Sequence, residues 1–233
     1  MFNDFMIGFE KTFITGDGYK SLLSGLGITV LITVIAGVLG SLLGLLVLFI
    51  RRRNIKILNG VIAIYSDIIT GVPVVVILML LYYALLGRVY LPAVLVAIIG
   101  FTVIFSARCY KLMWNGTKKV DKGQREAAIA FGYSERKAFF KVVFPQAAVI
   151  FYPAYKAQII SLLKETSVVG FITVVDLTKA ADQVRSQGTA ALVPIIIAAV
   201  IYYLLTKGMK MLLGLADKAF NNKRKKALVK GVD

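Results

Sequence analysis

Residues 122–147 are KGQREAAIAFGYSERKAFFKVVFPQA, a polar and basic stretch between strongly apolar runs. Gln124 to Phe131 favours helix, and Gly132 can take the left-handed conformation that stops a helix and reverses the chain. Ser134 is placed to cap a second short helix, with Lys137 rather than an acid three residues on, so a capping box is not expected. Two short helices at an angle make a compact knob. Ala127, Ala128 and Ala130 present little bulk, so another helix or a cleft wall can approach closely, and Glu126 offers a carboxylate able to grip an arginine through two bonds. The stretch is predicted to dock on something beneath a membrane; a solvated amphipathic loop is the plainer alternative.

The membrane follows from composition. A chain of 233 residues that is 58% hydrophobic, with mean hydropathy +0.79, departs from soluble domains, whose apolar share is nearer half. The expected fold is an all-α membrane protein with about five transmembrane helices. The formal net charge is +16, which in other settings signals nucleic acid. A single cysteine, Cys109, excludes an internal disulfide, and the absence of histidine removes the commonest metal ligand and general base. Neither redox chemistry nor zinc is expected.

A hydrocarbon core about 30 Å thick takes roughly 20 helical residues to cross. The first span is expected over residues 22–50, with Gly25, Gly27, Gly37, Gly40 and Gly44 allowing close packing. The second, over 61–86, is interrupted at Gly71-Val72-Pro73. Asp67, Thr70, Gly71 and Val74 share one face there by spacing, either lining an interior or merely shaping a kink. The third span, 92–114, carries Arg108 and Lys111, both expected to snorkel toward a membrane surface. In the fourth, 149–170, Gln158, Ser161 and Glu165 draw one polar stripe. A carboxylate in low dielectric needs a cation; the ammonium of an amino acid is one, and Lys164 or Lys156 nearby are others. The polar stretch 171–189, with Asp176, Lys179, Asp182, Arg185 and Gln187, leads to a fifth span over 190–213. Before all of these, Phe2, Phe5, Phe9 and Phe13 make an amphipathic stripe suited to a membrane interface, or a merely frayed terminus.

The knob resembles the EAA loop of the permease subunits of bacterial ATP-binding-cassette (ABC) importers. The likeness rests on Glu126-Ala127-Ala128, Gly132 and Pro145, with Val142 and Phe144 in place of the usual isoleucine and leucine. KGQ before it, PQA after it, the run ISLLKETS at 160–167 and TGVP at 70–73 resemble the polar amino-acid branch of that family. The resemblance implies a type I importer permease whose coupling residues are Glu126, Ala127, Ala128, Gly132, Arg136 and Pro145. Together with the polar stripes of the second and fourth spans, it leads to an expected substrate pathway along Glu165, Ser161, Gln158, Thr166, Asp67, Thr70 and Gly71. Related permeases often carry glutamate at the position of Lys111, so the ligand's charge is not read across. The implied partners are two ATPase subunits holding ATP and magnesium, a second permease subunit, an extracytoplasmic substrate-binding protein and an amino-acid substrate. No cofactor is expected in this chain, and its sequence has no G-x-x-x-x-G-K-[ST] phosphate loop.

Topology accounts for the charge. With the N-terminus outside a bacterial cytoplasmic membrane and the C-terminus inside, four basic residues at 51–56, eight at 111–141 and eight at 207–230 fall inside, twenty of the twenty-eight. That asymmetry is the positive-inside rule, and nucleic acid becomes unnecessary. The expected organisation is an interfacial segment at 1–21, a transmembrane domain at 22–214 with its coupling loop at 115–147, and a basic tail at 215–233 that meets anionic lipid. Readings from other classes are an ion-coupled transporter or channel working through Asp67 and Glu165, and a membrane anchor or signalling partner.

Overall fold

The computed structural model describes residues 10, 16–86, 91–187 and 192–229, without the side chains of 85, 86, 187 and 216–229. The phenylalanine stripe near the start and residues 190–191 of the fifth span lie outside the described residues, as do the side chains of the basic tail.

The described residues are helical almost throughout. Helix α1 is Gly18–Arg52, α2 is Lys56–Gly71, and α3 is Val74–Met79, running on in π-helical turns over Leu80–Leu86. Helix α4 is Ala93–Lys118, α5 is Lys122–Ala130, and α6 is Glu135–Ala138, followed by a π-helical turn over Phe139–Val143. Helix α7, Phe144–Glu165, is prolonged by a 3₁₀ stretch, Thr166–Ile172; α8 is Leu177–Gln187 and α9 is Val193–Val229. Among the described residues four helical stretches are long and apolar enough to cross a membrane, and the α2–α3 pair makes five if counted as one span.

That pair departs from the expected kinked span, because its halves are bent by 111°. The cause is local. A residue before proline is pushed out of the helical region, and Val72 sits at φ −97°, ψ 138°. Pro73 is extended too and caps the next helix, its carbonyl accepting from the amides of Val76 and Ile77. Val74 therefore belongs to a different helix from Asp67, Thr70 and Gly71, and the face expected to hold all four does not exist.

The core is the crossing of α1 with α4, backed by α7. Phe101, Ile104 and Phe105 of α4 and Ile32, Ala36 and Leu48 of α1 are fully buried. Glycine permits the approach: a Cβ on Gly40 would stand 3.0 Å from Phe105 Cβ, and one on Gly44 2.8 Å from the Ser106 carbonyl oxygen. Gly25 does the same farther up, where a Cβ would meet the Asp176 carbonyl oxygen at 2.5 Å. Of the five glycines singled out in this span, Gly27 faces open space and Gly37 only touches Leu162.

Helix α1 also fixes the two ends of the molecule. Near its start, Gly25 lies against Asp176, and Thr29 Oγ1 accepts from the Leu177 amide. At its finish, the Arg52 guanidinium covers the Phe139 ring, 3.4 Å from its centroid. The α5–α6 knob and the α8 end thus sit at opposite ends of a helix of 35 residues, about 50 Å long at 1.5 Å per residue.

Candidate functional site

The knob forms as its sequence requires. Asp121 begins α5 by accepting from the Gly123 amide. Gly132 ends it at φ +86°, with its amide bonded to the Ile129 carbonyl and the Tyr133 amide to the Ala128 carbonyl. That is a Schellman closure, which ties up carbonyls a helix end would otherwise leave unpaired. Ser134 then caps α6, accepting from the Lys137 amide at 3.4 Å. Arg125 grips Glu135 across the turn through Nε at 3.0 Å and Nη2 at 2.5 Å, and this contact holds the Arg125 guanidinium above its ordinary pKa. Gln146 Nε2 donates to Gln124 Oε1, joining α5 to the foot of α7, where Pro145 occupies the first turn. Phe49 packs on Phe139 and Phe140. On this frame Ala128 turns inward, while Glu126, Ala127 and Arg136 are exposed and Phe131 is 86% exposed.

The second polar cluster lies among the spans. Arg108 Nη1 sits 2.7 Å from each carboxylate oxygen of Glu165, and Ser161 Oγ donates to Glu165 Oε1 at 3.0 Å. The side chains of Arg108 and Glu165 keep 20% and 24% of their surface accessible. One turn along α4 from Arg108, Lys111 Nζ donates to Thr70 Oγ1 at 2.6 Å. Helix α4 therefore sends one cation to α7 and the next to α2. Glu165's cation is Arg108, rather than Lys164 or Lys156. Gln158 is half-buried on the same stripe, and Asp67, Thr70 and Gly71 are exposed on α2. Thr166 is fully buried and spends its hydroxyl on the Leu163 carbonyl.

At the far end, Asp176 is fully buried and begins α8, accepting from the amides of Thr178 and Lys179 and from Tyr202 Oη. Lys179 and Arg185 both pair with Asp182. No group of histidine, cysteine or acidic side chains suited to a metal ion occurs among the described residues.

Sequence reasoning missed Arg108 as Glu165's partner, Asp121 as a cap and the Arg125–Glu135 clasp. Asp121 carried a signal, an acid directly before the helix; Arg108 carried none, since it lies 57 residues from Glu165.

The family described as binding-protein-dependent transport system inner membrane component matches residues 36–221. The arginine transport system permease protein ArtQ of Bacillus subtilis (strain 168) is 29% identical over 206 residues, 88% of this chain and 92% of its own. The probable glutamine ABC transporter permease protein GlnP of the same organism is 30% identical over 186 residues, 78% of this chain and 85% of its own. Among solved structures, an amino acid ABC transporter crystallised with histidines has a chain 31% identical to this one. It superposes with a TM-score of 0.78 over 88% of this chain and 96% of that one. The MetNI methionine ABC transporter, at 21% identity and TM-score 0.66, shares the fold. The chain belongs to the family of binding-protein-dependent transport system inner membrane components, as a membrane permease component of an ABC importer.

Proposed function

We propose that this chain carries amino acids across the bacterial cytoplasmic membrane, with its N-terminus outside, its knob inside, and the Arg108–Glu165 pair as the point that holds the substrate. The pair with its Ser161 hydrogen bond is the observation that supports this most strongly. An α-amino acid presents an ammonium and a carboxylate on one carbon. Glu165 matches the first and Arg108 the second, so the substrate exchanges one internal ion pair for two external ones. Little charge is stranded in a low-dielectric site, where an unpaired ion is costly. The head group alone satisfies both residues, so a cationic side chain is not demanded at this point. Relatives named for arginine, glutamine and cystine transport fit that economy.

The exposed surface of the knob, with Glu126, Ala127, Arg136 and Phe131, docks on an ATPase subunit. Two such subunits, a second permease chain and a substrate-binding protein at the α8 end complete the assembly. ATP and magnesium act in the ATPase, which favours one permease conformation by binding the two with unequal affinity.

The test is uptake by the complete transporter of labelled arginine, glutamine and cystine. Glu165→Gln and Arg108→Gln are each expected to cut uptake at least tenfold with normal amounts of protein in the membrane. Undiminished uptake by both variants, or uptake by the permease chain alone driven by an ion gradient, overturns the reading.

A further inference from the structure

A cavity of about 540 Å³ opens where α1 and α4 end beside the knob, apart from the Arg108–Glu165 pair. Its lining includes Arg51, Arg52, Trp114, Lys118, Arg125 and Glu135. Arg125 already holds Glu135, the one carboxylate in that lining. Among the described residues no carboxylate forms an ion pair with Arg51, Arg52 or Lys118. Two of these cations bracket one ring: Arg51 Cζ is 5.5 Å and Lys118 Nζ 5.1 Å from the centroid of Trp114. Arg51 is held in place by its bond to the Asn59 carbonyl at 2.7 Å, and Arg52 is held over the Phe139 ring.

Four cations fixed around a cavity whose lining holds one carboxylate, already gripped by Arg125, call for an anion, and the anion's nature follows from depth. Arg51 and Arg52 form the last turn of one span, and Trp114 and Lys118 close another. Tryptophan belongs at the boundary between lipid and water, and basic pockets between spans on the cytoplasmic side suit lipid head groups. Phe139 and the indole supply the apolar wall that a glycerol backbone needs and a free anion does not. We propose that this cavity binds the phosphate of an anionic phospholipid of the inner leaflet, between Arg51 and Lys118 with Arg52 as the third donor. The site rests on the inward orientation of the knob argued above. Because Arg125 and Glu135 close the same cavity, a bound head group joins the coupling knob to both spans, and transport becomes sensitive to anionic lipid.

Trp114 is the only tryptophan in the chain, so its emission reports on this site alone. Purified permease in a zwitterionic detergent is titrated with short-chain phosphatidylglycerol, with phosphatidylcholine and with inorganic phosphate. Phosphatidylglycerol is expected to change the emission saturably, and the other two are expected to do nothing at equal concentration. Arg51→Gln and Lys118→Gln together weaken the response about thirtyfold, and each alone weakens it by less. Lys207→Gln with Lys210→Gln, which removes the same charge elsewhere, leaves it unchanged. An equal response to phosphatidylcholine, an equal response to inorganic phosphate, or an equal loss in the Lys207/Lys210 control each overturns the proposal. Transport is not involved in the reading, so a failure here is separate from a failure of the amino-acid assignment.

Discussion

At Gly44 a single methyl group decides whether two spans can meet. Its Cβ would lie 2.8 Å from a backbone oxygen and 2.9 Å from Cys109 Cβ, neither of which can swing away. Gly44→Ala is therefore expected to lower stability by about 1–3 kcal/mol, the usual cost of overpacking, while Gly27→Ala, facing open space, is neutral within about 0.5 kcal/mol. Thermal unfolding in detergent checks this, and equal midpoints for the two variants would refute it. The ion pair permits a sharper separation of structure from function. Exchanging the charges by Arg108→Glu with Glu165→Arg keeps an ion pair across α4 and α7 but, under the proposed function, hands each end of the amino acid to the wrong residue. The exchanged protein should unfold close to the wild type and transport at least tenfold more slowly; wild-type uptake would show that the pair only braces the helices. Sequence made half of this visible. The stripe of Gln158, Ser161 and Glu165 follows from helical spacing within one element, but Arg108 reaches Glu165 across a helix crossing that no local period encodes.

Elements were legible where their ends carry chemistry. Gly132 and Ser134 signal a stop and a cap, and the positive φ of the first and the bond accepted by the second bear that out. The bend between α2 and α3 exceeds the kink that a lone proline signals, because Val72 leaves the helical region together with Pro73 and two successive extended residues turn the chain. Gly132→Val should strain the knob by about 1–2 kcal/mol, the penalty for a side chain in the left-handed region. Uptake is then expected to fall while the spans fold normally, and full uptake would remove the knob from the coupling route. A pH dependence belongs to α8. Burial pushes the Asp176 carboxyl above the ordinary carboxylate range, more than the amides of Lys179 and Thr178 and the Tyr202 hydroxyl pull it down. The folded chain then binds this proton to higher pH than the unfolded chain, so stability from this group falls as pH rises above about 3.9. Asp176→Asn cannot ionise, and the wild type should lose stability relative to that variant as pH rises from 4 toward 7. A relative gain by the wild type would reverse the assignment.

For the whole molecule, the deciding question is which end faces the ATPase. Helix α1 touches the α8 end through Gly25 and Thr29 and the knob through Arg52, so knob and α8 lie on opposite sides of any bilayer that α1 crosses. Charge then chooses between the two possible orientations. The knob end gathers Arg51, Arg52, Arg53, Lys56 and the basic residues of 118–141, whereas Lys179 and Arg185 at the α8 end are offset by Asp182, a bias that supports the proposed inward orientation of the knob. Because Cys109, the chain's only cysteine, is fully buried, engineered thiols can be read against a silent background. Gln183→Cys should react with a membrane-impermeant maleimide added to intact cells, and Lys119→Cys only after the membrane is inverted or opened. Labelling of both from the same side would break the argument at its root, because the knob could then no longer carry motion from a cytoplasmic ATPase to a substrate arriving from outside.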